Sequence, residues 1–178
     1  MDIFVFGTLR SDTLRKIVLG RDMSSDDICE ATIRDFQVYW AKEGPFPVMI
    51  PEPNSEAYGL VLKNLSEPDV ERLNYYELGF DYVLATTSVE THAGQIGVSA
   101  YFCNRSDMAT SKLWSFDDWL SDHSEIQYLA AREFLDFFGT KFGHTAQVMY
   151  NSILKRAEVF VSESSTPSSA IEIGPDLN

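Results

Sequence analysis

A glycine and a threonine follow the first apolar run of the chain. Residues 2–6 form this short run and Gly7-Thr8 comes directly after it, which predicts a buried strand that ends in a loop. Successive backbone N–H groups just past a strand can hold a carboxylate without a charged side chain, and glycine lets a ligand approach the backbone closely. A turn that needs glycine only for its geometry is the commoner case, so both interpretations stay open for Gly7 and Thr8.

Glu77 is the candidate for proton transfer. It lies seven residues after Val70 and four after Leu73, and 3.6 residues per turn place it on the apolar face of a helix. A carboxyl group on a buried face, beside Tyr75 and Tyr76, is expected to have a raised pKa and to suit general acid–base chemistry. The alternative is a glutamate at a frayed helix end that reaches water, and periodicity alone leaves the two about even.

Two further features are candidates for the wall of a pocket. Tyr82 begins the strand after the Glu77 helix, where its hydroxyl group can meet a ligand or a carboxylate, although a half-buried strand tyrosine is commoner; Tyr101 has the same ambiguity. Residues 42–47 contain two prolines, which exclude a helix and make this loop stiff. The loop is either a pocket wall or, more commonly, a plain connection.

Helix start and stop signals would position these residues. Ser11 precedes a short helical pattern that Gly20 ends, as an N-cap and a C-terminal glycine do. Ser66 predicts the N-cap of the Glu77 helix, with Asp69 at the capping-box position. Gly79 is a plausible C-terminal stop for that helix.

The remaining pattern is mixed and predicts an α+β fold. Short strands stand at both ends of helices and a helical block closes the domain, which favours a small curved sheet or barrel over a Rossmann-type sheet. No dinucleotide-binding or P-loop glycine pattern occurs. Strands are predicted at residues 31–40, with an irregular register, at 48–50, stopped by Pro51 and Pro53, at 57–62, and at 82–90 and 97–102 as an antiparallel pair; helices are predicted at 116–120, 125–142 and 145–156.

Composition excludes several classes of function. The net charge of −13, from 27 acidic and 14 basic residues, argues against binding to nucleic acid or to an anionic membrane. Two cysteines and three histidines are scattered without metal-ligand spacing, so we expect no metal. The first residues lack a signal-peptide pattern and no run approaches about 20 apolar residues. These features predict a cytoplasmic protein.

Four collinear segments cover roughly the first hundred residues: Phe-Val-Phe-Gly-Thr-Leu-Arg at 4–10, Gly-Pro-Phe-Pro at 44–47, Ala-Tyr-Gly-Leu-Val at 57–61, and Leu-Asn-Tyr-Tyr-Glu at 73–77 followed by Gly79 and Tyr82. Together they resemble the gamma-glutamylcyclotransferase-like family, which includes the AIG2-like proteins, and the four in sequence are more specific than any one alone. Phe6 stands where the family usually has tyrosine, and Leu78 where glycine often follows the glutamate.

The resemblance implies a small mixed β-barrel with flanking helices and a definite reaction. The α-amine of a γ-glutamyl compound would attack its own γ-carbonyl group, forming 5-oxoproline and releasing an amine or amino acid, with no metal or organic cofactor. Glu77 matches the family's catalytic glutamate. The segment Phe6, Gly7, Thr8 and Leu9 matches the loop that holds the glutamyl part of the substrate, and Tyr82 matches a tyrosine near the glutamate.

The resemblance also bears on domain organisation. The phenylalanine-rich helices after Trp114 are similar to those of a bacterial subgroup in which this domain precedes a Nudix hydrolase domain, so a Nudix domain or protein is a possible partner. We expect the family domain at residues 1–160 and a flexible tail or linker at 161–178, which is rich in Ser, Pro, Glu and Asp. The alternative to an enzyme is a non-catalytic domain that binds a small ligand in the same pocket; Glu77 paired with Arg10 or Arg72, or pointing to solvent, would favour it.

Overall fold

Five strands close into a barrel and a sixth extends it. The computed structural model describes residues 1–77, 82–103, 105–140 and 144–164. The strands are β1 (Ile3–Val5), β2 (Ile28–Ala41), β3 (Pro47–Leu62), β4 (Tyr82–Thr91), β5 (Gly94–Cys103) and β6 (Ala109–Leu113). They are joined in the order β3-β1-β5-β4-β2, the pairing of β2 with β3 closes the ring, and β6 pairs with β2. The β1–β5 pair is parallel and the other described pairs are antiparallel. The predicted small mixed barrel is confirmed.

The first strand shows how the barrel and the helices share one core. Side chains on a strand alternate between its two faces. Phe4 points into the barrel with apolar side chains of the other strands, whereas Ile3 and Val5 pack outside it against the helices. Because both faces are covered, all three residues are buried, and the predicted strand at residues 2–6 is confirmed.

The helices lie against the outside of the barrel. They are α1 (Asp12–Leu19), α2 (Glu67–Glu77), α3 (Phe116–Asp122), α4 (Ser124–Leu135) and α5 (His144–Ser164). The caps predicted for α1 are present, because the Ser11 hydroxyl group accepts a hydrogen bond from the Leu14 N–H and Gly20 ends the helix with a φ of 72°. In the part of the chain that is described, no helix is long and apolar enough to cross a membrane.

The N-terminus of α2 carries the predicted capping box. The Asp69 carboxylate accepts a hydrogen bond of 2.9 Å from the Ser66 N–H, and the Asp69 N–H donates to the Ser66 hydroxyl group over 3.4 Å. Arg21 holds the same carboxylate through two hydrogen bonds of 2.9 and 2.7 Å. The start of the helix that bears Glu77 is therefore anchored to the segment after α1. The predicted stop at Gly79 and the neighbouring Leu78 lie outside the described residues.

The prediction of two separate strands at residues 48–50 and 57–62 is wrong. The structure has one strand, β3, which runs through Pro51 and Pro53. A proline inside a strand removes a donor from the ladder, so it is tolerated at edges and bulges rather than in regular pairing.

A bulge explains why the prolines do not end β3. The register passes from Arg34 opposite Glu56 to Phe36 opposite Pro51, so the single residue Asp35 stands opposite the four residues 52–55. Asp35 has a φ of 60°, and its carboxylate accepts a hydrogen bond of 2.9 Å from the Asn54 N–H. Pro53 lies inside this bulge, where no ladder hydrogen bond is needed. The irregular register predicted for residues 31–40 is confirmed.

Two predicted helix ends are also wrong. The helix predicted at 125–142 ends at Leu135. The chain then continues in tight turns, in which the Thr140 N–H donates to the Phe137 carbonyl group over 2.9 Å and Gly139 has a φ of 80°. The helix predicted at 145–156 continues to Ser164 in α5. Residues 161–164 of the expected tail are thus helical, and residues 165–178 lie outside the described part. The expected antiparallel pair, β4 and β5, is confirmed.

Candidate active site

The turn after β1 exposes backbone N–H groups. Thr8–Arg10 form one turn of 3₁₀ helix, in which the Arg10 N–H donates to the Gly7 carbonyl group over 3.0 Å. The first N–H groups of such a turn have no partner within it, and those of Thr8 and Leu9 bond to no other backbone group of the described residues. They remain available to a ligand.

Gly7 is required here by close packing. A Cβ atom at this position would lie 2.4 Å from the Cγ atom of Pro47, far inside contact distance. The glycine lets the proline-containing loop press against the turn, so the geometric role that the sequence left open is present. This close approach makes Pro47 a direct neighbour of the turn.

Arg15 supports the turn from behind. Its Nη1 atom donates to the carbonyl oxygens of Leu9 and Arg10 over 3.0 and 2.6 Å, and its Nη2 atom donates to Asp12 over 3.0 Å. The Arg15 residue is 6% exposed, so these charge-assisted hydrogen bonds are shielded from water. They fix the carbonyl groups of the turn, whose Thr8 and Leu9 N–H groups have no backbone partner in the described part of the chain.

Glu77 is the last residue of α2 and is buried. Its residue is 8% exposed, and burial raises the pKa of its carboxyl group from 4.5 to about 8. Within the described residues, the carboxyl group forms no hydrogen bond or ion pair. A frayed helix end that reaches water is therefore excluded.

The two arginines considered as partners of Glu77 are engaged elsewhere. The Arg10 guanidinium group lies 4.5 Å from the centre of the Phe116 ring and 5.0 Å from that of Tyr58. The Nε atom of Arg72 donates to the Val18 carbonyl group over 2.7 Å. Neither arginine pairs with Glu77, so its carboxyl group keeps a high proton affinity.

One cavity brings the predicted site residues together. It has a volume of about 40 Å³. The predicted loop wall is present, since Phe46 and Pro47 belong to the lining. The lining residues are Phe4, Val5, Phe6, Gly7, Thr8, Leu9, Phe46, Pro47, Tyr76, Glu77, Tyr82 and Tyr101.

Three tyrosines surround the carboxyl group, and each is held by a hydrogen bond. Tyr82 donates to the carbonyl oxygen of Pro47, Tyr101 donates to the Asn74 side-chain oxygen over 2.7 Å, and Tyr76 accepts from the Gln127 amide over 2.8 Å. Burial raises the pKa of all three hydroxyl groups further above 10, and the nearby Glu77 adds to this. They are therefore neutral at neutral pH, and Tyr82 ties the loop wall to the barrel.

The sequence pattern did not assign two members of this site. It treated Tyr76 only as a neighbour of Glu77 and left Tyr101 open as either a ligand-facing or an ordinary strand tyrosine, and both line the cavity. No local pattern could have found them, because their positions depend on how α2 packs across the barrel strands. In the described ranges, no group of three or more His, Cys, Asp or Glu side chains is placed to hold a metal ion.

The comparison with known proteins agrees with this architecture. The family model "Gamma-glutamyl cyclotransferase, AIG2-like" matches residues 3–121, which include the whole barrel and every lining residue of the cavity. The chain belongs to this family. The resemblance inferred from the four sequence segments is confirmed.

Relatives within the family extend over most of the chain. AIG2-like protein A of Arabidopsis thaliana is 25% identical over 127 residues, which are 70% of this chain and 74% of the relative. Protein AIG2 A of the same plant is 24% identical over 172 residues, which are 95% and 94% of the two chains. A solution structure of an Arabidopsis protein covers 98% of this chain and 94% of its own, with a TM-score of 0.55 at 19% identity. This last likeness shows the fold alone.

A second solution structure from Arabidopsis thaliana has a TM-score of 0.53 at 22% identity and covers 77% of this chain and 87% of its own.

The glycine in the middle of the β3 segment at residues 57–61 has a clear role in the fold. A Cβ atom on Gly59 would lie 2.4 Å from the Val5 carbonyl oxygen and 2.6 Å from the Phe4 ring. Glycine at this position therefore lets β3 approach β1 beside the cavity.

Proposed function

We propose that the protein is a gamma-glutamyl cyclotransferase that releases 5-oxoproline and an amine or amino acid from a γ-glutamyl compound. The α-amine of the substrate forms a bond to the γ-carbonyl carbon, the γ-amide C–N bond breaks, and the leaving nitrogen takes up a proton. The observation that carries this proposal is the buried Glu77 carboxyl group, which has no hydrogen bond or ion pair among the described residues and lies in the same cavity as the Gly7–Leu9 turn.

Glu77 suits the proton transfers of this reaction. Its pKa of about 8 is close to that of an α-amino group, about 7.7–8.0, so a proton passes between the two groups with little change in free energy. The carboxylate accepts a proton from the attacking amine and returns one to the leaving nitrogen. The same residue serves as base and then as acid, and the proton count balances.

The turn after β1 suits the α-carboxylate of the glutamyl group. The N–H groups of Thr8 and Leu9 are available donors, and no cationic side chain lines the cavity in the described residues. A carboxylate held by main-chain donors needs no cation. Phe6 and Gly7 complete this wall, and Tyr82 holds the Pro47 segment that packs against it.

Ring closure makes positioning the main task of the site. The amine and the carbonyl group belong to one molecule, and well-oriented intramolecular reactions reach effective concentrations of about 10⁵–10⁸ M. A small, rigid cavity that holds the glutamyl group folded therefore supplies a large part of the acceleration. The aromatic walls and the tied loop provide that rigidity.

The test is release of 5-oxoproline from a panel of γ-glutamyl amines, amino acids and peptides, with Glu77→Gln and Glu71→Gln as paired variants. Glu71 lies exposed on the same helix, so its variant is the control. We expect Glu77→Gln to lower kcat by about 10²–10⁴-fold and Glu71→Gln to leave it unchanged.

Two outcomes would contradict the proposal. Turnover retained by Glu77→Gln would remove Glu77 from the mechanism. Calorimetric binding of a γ-glutamyl compound by the wild-type protein, with no 5-oxoproline formed, would instead establish the alternative of a ligand-binding domain. Binding and turnover are therefore measured on the same protein and the same panel.

A further inference from the structure

The last two helices lie outside the region that matches the family model, yet they reach the site. The model ends at residue 121, and α4 and α5 follow it. Gln127 of α4 donates from Nε2 to the hydroxyl oxygen of Tyr76 over 2.8 Å and to that of Tyr150 of α5. Tyr76 directly precedes Glu77 and lines the cavity, so one buried amide connects both added helices to the site.

This network lies deep in the protein. Gln127 is 3% exposed and Tyr76 is 1% exposed, and Tyr150 is also buried. The Tyr76 and Tyr150 rings meet edge to face with centres 6.5 Å apart. The Tyr76 and Tyr150 hydroxyl groups also interact with each other through a hydrogen bond. Loss of a buried hydrogen bond is unfavourable, so removal of the Gln127 amide would take one partner from each phenol.

We propose that Gln127 and Tyr150 are positioning residues of the active site, which hold Tyr76 against the cavity and keep water away from the Glu77 carboxyl group. This inference rests on the proposed function, and it assigns the added helices a role in it. Neither residue belongs to the cavity lining, but both contact Tyr76, which does.

The groups that face Glu77 are neutral, so the pKa of its carboxyl group depends on how far water is kept away from it. Four phenols interact with its charge: Tyr76 on α2, Tyr150 on α5, and Tyr82 and Tyr101 on the barrel. Burial raises the pKa of each phenol above 10, so all four are neutral at neutral pH. No cation of the described residues contributes to the proton affinity of Glu77, which follows from desolvation. Water admitted at Tyr76 would therefore lower it.

The experiment follows the Glu77 carboxyl group by carbon-13 NMR on protein labelled at the glutamate side-chain carboxyl, with Glu77→Gln used to assign the signal. Three variants are compared with the wild type: Gln127→Leu, Tyr150→Phe, and Tyr128→Phe as the control. Tyr128 is also on α4, and its hydroxyl group lies 2.6 Å from that of Ser11, away from the network. The acid limb of the pH–kcat profile is measured on the same samples.

We expect Gln127→Leu to move the titration of Glu77 down by about one pH unit or more, Tyr150→Phe to move it less, and Tyr128→Phe to leave it in place. The acid limb of kcat should move by the same amounts. If Gln127→Leu does not fold, Tyr150→Phe alone decides.

A Glu77 titration unchanged in the folded network variants would overturn the proposal and leave the network a purely structural device. The NMR readout needs no turnover, so it tests the network even if no substrate is cleaved. A shifted titration with no 5-oxoproline from any variant would refute the proposed function and, with it, the catalytic meaning of the network.

Discussion

Replacing Glu77 by glutamine should stabilise the protein, by an amount that grows with pH. The folded state raises the pKa of this carboxyl group from 4.5 to about 8, so between these values the folded protein binds more protons than the unfolded chain. The free energy of unfolding contributed by Glu77 therefore falls as pH rises through this window. Glutamine has nearly the same shape and never ionises, so Glu77→Gln removes this loss.

The magnitude follows from the size of the pKa difference. From 4.5 to about 8, at about 1.4 kcal/mol per unit, the full effect is about 5 kcal/mol above pH 8. At pH 7 the unfolded carboxyl group is ionised and the folded one mostly is not, which leaves a difference of about 3 kcal/mol. Near pH 4 both states are protonated, and the two proteins should unfold with nearly equal free energies.

The assay is urea unfolding of wild type and Glu77→Gln at pH 4, 5, 6, 7, 8 and 9, followed by tryptophan fluorescence. Other titrating groups are common to both proteins, so they cancel in the difference. Glu71→Gln makes the same substitution at an exposed position of the same helix and is the control, for which only a small difference is expected. A flat difference for Glu77→Gln, or one that grows as pH falls, would refute a buried, mostly protonated Glu77.

Three further predictions concern the supports of the site. Asp69→Asn should lower the free energy of unfolding by about 2–3 kcal/mol at pH 7, because the Arg21 partner holds the pKa of Asp69 well below its usual range. This loss of stability should shrink below about pH 4, and an equal loss in unfolding titrations at acid pH would contradict the prediction. Gly59→Ala should lower the free energy of unfolding by about 1–3 kcal/mol or more. Gly97→Ala, with nothing within 4 Å of the new Cβ atom, should leave it nearly unchanged in the same assay, and equal losses for the two variants would contradict the packing explanation. Arg15→Met should speed amide hydrogen exchange at Thr8 and raise KM, and exchange rates like those of the wild type would show that the turn stands without the guanidinium group.

The sequence predicts a helix end correctly where residues next to that end determine it. Ser11 and Gly20 delimit α1, and Ser66 with Asp69 starts α2, because caps act within a few residues. Helical spacing left Glu77 either on a buried face or at a frayed helix end, and its burial agrees with the first alternative. These features depend on nearby chain, which a single sequence contains in full.

Long-range features could not be read from the sequence. The prolines at 51 and 53 indicated a break, but Asp35, some eighteen residues earlier, supplies the bulge that accommodates them. Helix α4 ends at Leu135 and is followed by tight turns, whereas the apolar pattern predicted a helix to residue 142. Tyr101 and Gln127 reach the site only because distant strands and helices meet, and no spacing rule expresses such a meeting.

The two Glu77→Gln measurements together separate a functional carboxyl group from a structural one. A structural carboxylate is buried because partners stabilise it, so its removal lowers the free energy of unfolding. Glu77 has no such partner among the described residues, and the fold leaves it desolvated at a loss in stability. Such losses are expected where a site needs a strained or poorly solvated group. Greater stability combined with lost turnover would therefore identify Glu77 as a residue kept for chemistry, whereas lower stability would mean that the carboxyl group serves the fold.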